Sequence, residues 1–111
     1  MISKERLEEM AKNETKLLVS LIKEGRLSNS ELTFALKYLG IHNPYQHMFD
    51  FIFRFLDHID LVVREGAVYG LGEIYEYNDD IVVNEQKILQ VLEKDSLLAK
   101  ICGGTLEDML Q

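Results

Sequence analysis

Apolar residues at helical spacing run through most of the chain, and the clearest stretch is DLVVREGAVYGLGEIYEY, from Asp60 to Tyr77. Its apolar positions recur at intervals of four, four and three residues, the spacing of one face of an α-helix. They are Val63, Ala67, Leu71 and Ile74. Asp60 can cap this helix, because its carboxylate can accept hydrogen bonds from the free amides of the first turn.

Three glycines lie inside the same predicted helix, at Gly66, Gly70 and Gly72. Each costs roughly 0.5–1 kcal/mol relative to alanine in a helix interior. A closely approaching neighbouring helix would offset this cost, because a missing Cβ lets two backbones come nearer. The residues on the opposite side have no evident role in a core, and they are Val62, Tyr69, Glu73 and Glu76.

The N-terminal part of the chain predicts two helices. The first covers Ser3–Glu24, with a break near Asn13 and with Gly25 in the position of a C-terminal cap. The stretch Ser28–Glu31 has the spacing of a capping box and opens the second helix. We expect Gly40 to close it.

The remaining helices are marked by their caps. Asn43-Pro44 predicts an N-cap followed by proline at the first helical position, opening the most apolar helix, Tyr45–Asp57. Asn84 begins another helix, and Asp95-Ser96 cap the last. With the Asp60 helix, this predicts an all-α fold of six helices in three antiparallel pairs, forming one domain over residues 1–111.

The helix pairs also repeat. A shift of 35 residues places Val63 on Leu98 and Leu71 on Leu106, and a shift of 32 places Leu71 on Leu39. Periods of this size in helix pairs are typical of an α-solenoid.

The phrase VREGAVYGLGEI, preceded by Asp60 and containing Arg64, resembles the second helix of a HEAT-like (armadillo-type) repeat. The resemblance is good over residues 43–77 and weak in the flanking pairs, where Leu32 or Ala99 replaces the arginine. It implies a miniature HEAT-like α-solenoid that binds other macromolecules along one face. An irregular helical bundle is the structural alternative.

Charge is distributed unevenly along the chain, whose net charge is −7. Residues 1–56 carry eight basic and seven acidic residues, whereas residues 57–111 carry four basic and twelve acidic residues. Between Arg64 and Lys87 there are six acids and no base. Such a surface repels nucleic acid and attracts basic proteins, although solubility alone could also explain it.

The amino-acid composition is that of a globular protein. Hydrophobic residues make up 47% of the chain, and no run approaches the roughly 18 apolar residues of a membrane span. The N-terminus, MISKERLEEM, is charged and does not predict a secretory signal, and a single cysteine fits a reducing compartment. We therefore expect a cytoplasmic protein without a membrane role.

Candidates for catalysis or metal binding are few. Cys102 falls at a position that the repeat assigns to the core, where a small buried hydrophobe is expected. His42 and His47 lack the spacing that places two imidazoles on one helix face, and His58 lies at a helix–helix turn. Gly103-Gly104 are expected to be packing positions. We expect no enzyme activity, cofactor or metal.

Tyrosines and carboxylates together form the best candidate site. Tyrosine is enriched at protein interfaces, and clustered carboxylates attract Lys and Arg. The predicted partner-binding residues are Tyr69, Glu73, Glu76, Tyr77, Asp79, Asp80 and Glu85.

These features predict a non-catalytic protein-binding module. In size and charge it is similar to small acidic bacterial immunity or inhibitor proteins, which implies a basic partner such as a nuclease toxin whose active site would be covered by the acidic face. The alternative is a HEAT-like scaffold or adaptor subunit that binds a protein without inhibiting it. A further alternative is a homodimer formed through the Phe-rich helix, Tyr45–Asp57.

Overall fold

The computed structural model describes residues 1–110, which form seven α-helices and one short 3-10 helix. The α-helices are α1 (Lys4–Asn13), α2 (Thr15–Lys23), α3 (Asn29–His42), α4 (Gln46–Phe53), α5 (Leu61–Tyr77), α6 (Glu85–Lys94) and α7 (Ser96–Asp108). The 3-10 helix, Arg54–Asp57, directly follows α4. These residues contain no strand, so the predicted all-α class is confirmed.

The predicted number of six helices is wrong, because the first predicted helix is divided at Glu14. This residue has φ −136° and ψ 47°, outside the helical region. The carbonyl of Ala11 accepts hydrogen bonds from Thr15 Oγ1 at 2.8 Å and Asn43 Nδ2 at 3.0 Å. Side chains therefore satisfy a backbone oxygen at the end of α1, next to the break expected near Asn13.

Two predicted helix boundaries are also wrong. Asn43 does not cap the following helix; its amide donates to the carbonyls of Ala11 and Leu39, so it closes α3 instead. The next helix begins later, with Tyr45 as its N-cap residue. Gly40 does not end α3, which continues to His42.

Several predicted caps are confirmed. The stretch Ser28–Glu31 makes both hydrogen bonds of a capping box. Side chains of Asp60, Asn84 and Asp95 accept hydrogen bonds from amides in the first turns of α5, α6 and α7, respectively. Gly25 has a positive φ of 68°, the left-handed conformation expected after a helix end.

The core forms around α5. This helix packs along α3 and also contacts α7, while α4 and the 3-10 helix cover it from a third direction. Helix α1 packs on α3, and α6 packs on α7. The largest fully buried side chains are Phe49, Leu7, Leu18, Leu36, Leu39, Ile52, Leu71, Ile74, Ile88, Leu98, Leu106 and Met109.

Glycines allow α3 and α5 to approach closely, as the sequence predicts. A Cβ added at Gly70 would lie 2.5 Å from the carbonyl oxygen of Leu36, and one at Gly66 would lie 2.8 Å from that of Thr33. A Cβ at Gly40 of α3 would collide with the backbone of Gly70. The contact therefore consists of backbone against backbone.

The other glycines divide into two kinds. A Cβ at Gly72 would lie 2.7 Å from Thr105 Cγ2, so this position accommodates α7. At Gly103 and Gly104 an added Cβ would meet no atom within 4 Å. The prediction that the last two are packing positions is wrong, because they face open space.

Alanine substitutions should therefore have opposite effects on stability. Gly70→Ala should lower the free energy of unfolding by about 1–3 kcal/mol, because the new methyl group meets backbone that cannot yield. Gly104→Ala should raise it by about 0.5–1 kcal/mol through helix propensity alone. Urea unfolding followed by circular dichroism measures both. A Gly70→Ala protein as stable as the wild type would contradict the observed packing.

Stability should also depend on the protonation of Glu31. Backbone amides of Ser28 and Ile2 donate to this buried carboxylate, at 2.8 and 2.6 Å, and hold its pKa below its usual value. Because the pKa is lower in the folded state, the stabilisation is present above the unfolded pKa and is lost as pH falls through the folded pKa.

Glu31→Gln should therefore make the folding stability of the protein depend less on acid pH. We expect the variant to be about 1 kcal/mol less stable than the wild type at pH 7, with a difference that shrinks below about pH 4. Urea unfolding across this pH range is the measurement, with the exposed Glu93→Gln as control. A difference independent of pH would contradict the role of the charged carboxylate.

Candidate protein-binding surface

One side of α5 is directed to solvent. Tyr69 is 48% exposed, and Glu76 is also exposed, whereas Leu71 and Ile74 of the same helix are fully buried. Glu73 lies between them in sequence and is partly exposed. The helix therefore separates its core side chains from its tyrosine and carboxylates, as its periodicity predicts.

A groove of about 700 Å³ lies between the C-terminal halves of α5 and α7. It is called the acidic groove below, and it is lined by Tyr69, Gly72, Glu73, Tyr75, Glu76, Asp79, Thr105, Asp108 and Met109. Four of the seven predicted partner-binding residues are therefore brought together: Tyr69, Glu73, Glu76 and Asp79.

The other three predicted residues do not line this groove. Tyr77 is the last residue of α5 and is 71% exposed. Asp80 lies in the following turn, where its backbone amide donates to Asn78 Oδ1 at 2.9 Å. Glu85 is the first residue of α6, a position where a carboxylate interacts favourably with the helix dipole.

The sequence-based prediction missed the contribution of α7. Thr105, Asp108 and Met109 line the same groove from the opposite side. The repeat held a usable signal, because the shift of 35 residues that pairs Leu71 with Leu106 also places Glu73 on Asp108.

The charge of the acidic groove is of one sign. Its lining contains four carboxylates and no Lys, Arg or His. Two cations from the same half of the chain are engaged elsewhere: Arg64 Nε lies 2.7 Å from Asp95 Oδ2, and Lys87 Nζ lies 2.6 Å from Asp57 Oδ1. The groove therefore has the chemistry to receive basic side chains.

Two smaller grooves continue the acidic groove. The middle groove, of about 160 Å³, is lined by Lys37, Glu65, Val68, Tyr69, Ile101, Cys102 and Thr105. The apolar groove, of about 410 Å³, is lined by Asn29, Ser30, Thr33, Phe34, Lys37, Asp60 and Val62. Lys37 is shared by the apolar and middle grooves, and Tyr69 and Thr105 are shared by the middle and acidic grooves.

Cys102 is buried less completely than the core position expected for it. The side chain packs against the core but is only partly buried, and it lines the middle groove. Burial raises the pKa of the thiol, and the nearby carboxylate of Glu65 raises it further. The thiol is therefore protonated at neutral pH, which makes it a poor nucleophile.

The histidines are engaged separately. His42 Nε2 lies 3.0 Å from Glu8 Oε2, His58 Nδ1 accepts a hydrogen bond from the Asp60 amide, and the ring of His47 stacks on Tyr45. Residues 1–110 contain no group of three His, Cys, Asp or Glu side chains that could hold a metal ion. Within the same residues, no helix has both the length and the apolar character needed to cross a bilayer.

Comparison with known proteins found no protein-family model, no curated protein and no solved structure that matches the chain.

The position of Cys102 predicts a slow thiol. Its reaction with Ellman's reagent at pH 7.5 should be about tenfold slower in the folded protein than in the protein unfolded in urea, because less of it is thiolate and access is restricted. As the pH is raised, the reaction rate of the folded protein should increase with a midpoint at a higher pH than that of the unfolded thiol. Equal rates in the two states would contradict the raised pKa.

Proposed function

We propose that this protein is a non-catalytic binding module that inhibits a basic protein partner, in the manner of small acidic bacterial immunity proteins. The observation that carries the proposal is the acidic groove, in which carboxylates and tyrosines from two helices line one concave surface without a basic residue. A nuclease toxin is the kind of partner that such a surface suits, because its active site is built to receive a polyanion.

The mechanism would be electrostatic mimicry of a phosphate backbone. Glu73, Glu76 and Asp79 would pair with the lysines and arginines that contact nucleic acid in the partner. Tyr69 would supply contact area at the junction of the middle and acidic grooves. Long-range attraction between the opposite charges would speed association, and salt would slow it.

The predicted residues outside the groove take a secondary role in this proposal. Tyr77, Asp80 and Glu85 lie close to it in sequence and are exposed. The two carboxylates would add to the negative potential that attracts the partner, without forming its central contacts. We further propose that the protein acts in the cytoplasm and uses no cofactor or nucleic acid ligand.

The helix packing also supports a HEAT-like arrangement, in which we propose three successive helix pairs: α1 and α2 together with α3, α4 with α5, and α6 with α7. Asn29 Nδ2 donates to Asp60 Oδ2 at 3.1 Å, and Arg64 Nε donates to Asp95 Oδ2 at 2.7 Å. In both contacts the residues are 31 positions apart, and the acceptor is the N-cap residue of the next long helix. The same polar link thus occurs between α3 and α5 and between α5 and α7.

A scaffold or adaptor role without inhibition is the second candidate. It is favoured by apolar side chains that remain exposed in the grooves next to the acidic one, since Val62 and Ile101 are both 55% exposed. A homodimer through the Phe-rich helix has less support, because Phe51 and Phe55 are partly buried and pack edge to face against each other.

Removing charges from the acidic groove should weaken partner binding. The partner would first be captured from a lysate of the native host on the immobilised chain, eluted by a salt step and identified by mass spectrometry. Replacing three groove carboxylates together (Glu73→Gln, Glu76→Gln, Asp79→Asn) should then lower its affinity at least about tenfold and flatten the salt dependence of the association rate.

A matched control carries the same loss of charge outside the groove, in Asp80→Asn, Glu85→Gln and Glu93→Gln, and should change the affinity less than about threefold. If both triple variants lost the same affinity, the groove carboxylates would act only through the net charge of the protein. Inhibition is tested by titrating the chain into an activity assay of the partner. A salt-resistant acidic assembly that keeps its activity would favour the scaffold role.

A further inference from the structure

The apolar, middle and acidic grooves adjoin one another across α3, α5 and α7, and together they are called the track below. Lys37 joins the first groove to the second, and Tyr69 and Thr105 join the second to the third. The track begins near Val62 at the start of α5 and ends near Glu76 in the last turn of this helix and Asp79 just after it. Val62 and Glu76 are 14 residues apart on one helix, which corresponds to about 21 Å.

The chemistry of the track changes along its length. Its first part presents the ring of Phe34 and the exposed side chain of Val62, and its middle presents Tyr69 and Ile101. The rings are partly covered, because the ammonium group of Lys37 lies over Phe34 and Tyr69, at 5.5 and 5.4 Å from the centroids. The ammonium group of Lys4 also lies 5.1 Å from the centroid of Phe34. The apolar surface of the track is therefore carried mainly by Val62 and Ile101, which are both 55% exposed. The last part is acidic.

The backbone limits what can occupy the track. The surface is built from helices, whose interior amides and carbonyls are already bonded within the helix, and residues 1–110 contain no strand edge. An extended segment would therefore find no main-chain partners along the track and would depend on side chains such as Ser30 and Thr105 to bond its own backbone groups as they lost water. A helix satisfies these groups internally and can present apolar side chains to a groove.

We infer that the track receives one amphipathic α-helix of the partner, with apolar residues against Val62, Tyr69 and Ile101 and with Lys or Arg against the acidic groove. This inference rests on the proposed function and specifies the part of the partner that is bound. Charge complementarity places the basic end of that helix next to Glu73, Glu76 and Asp79. About four helical turns would cover the track.

The test uses designed peptides as probes and the full ¹⁵N-labelled chain. Two peptides of about 18 residues carry leucines at helical spacing along one face, with lysines grouped in either the first or the last turn. At least one of them should saturably shift the amide signals of Val62, Tyr69 and Ile101. A scrambled peptide with the same composition but no apolar face should bind at least about tenfold more weakly.

Matched variants of the chain locate the contact. Val62→Ser with Ile101→Ser should weaken binding of the leucine–lysine peptide about tenfold, because two apolar contacts are lost. The control is Ile59→Ser with Val82→Ser, at positions that are 93% and 76% exposed and lie outside the track. The control should change binding less than twofold, on the order expected for remote surface sites.

Two outcomes would overturn the inference. If the scrambled peptide bound equally well and shifted only signals around the carboxylates, the acidic groove would still support the proposed function, but no helix would dock along the track. If neither designed peptide produced saturable shifts, the track would not be a helix-binding surface. Failure of the proposed function itself is seen separately, in the capture and activity assays.

Discussion

Backbone contact between α3 and α5 is the constraint on which the rest of the structure depends. Gly40, Gly66 and Gly70 leave no Cβ between the two helices, so a methyl group at any of them would meet main-chain atoms. The unfavourable helix propensity of these glycines is offset by dispersion contacts along two closely packed backbones. Because the contact holds one side of α5 against α3, the side that carries Tyr69 and Glu73 is left for solvent and for α7.

Local signals explain how much of the fold could be predicted. Caps such as Asp60 and Asp95 act within one turn, and apolar periodicity identifies the buried side of each helix without any knowledge of its neighbours. The errors occurred where a distant group decides the outcome. Asn43 bonds to Ala11 in another helix, and Gly40 lies inside α3, where its missing Cβ makes room for the backbone of Gly70. Neither contact is visible in the local sequence.

The same distinction applies to the candidate site. The α5 part of the acidic groove could be predicted, because Tyr69, Glu73 and Glu76 share one side of a single helix. The contribution of Asp108 depends on how α7 packs on α5, and only the internal repeat indicated it. Cys102 was misplaced for a related reason: the repeat assigns it to the core, but α7 is covered less completely than α5 and leaves this side chain partly exposed.

In the proposed complex, the apolar and acidic parts of the surface would contribute differently to binding. Charges act over roughly the Debye length of 8–10 Å, so the acidic groove would mainly raise the rate of encounter with a basic partner. Apolar side chains act only on contact, so Val62 and Ile101 would mainly slow dissociation. Lys37 lies between the two ends, with its ammonium group over Phe34 of the apolar groove and over Tyr69, which also lines the acidic groove. In the proposed complex, the track would therefore combine attraction at its acidic end with desolvated contact at Val62 and Ile101.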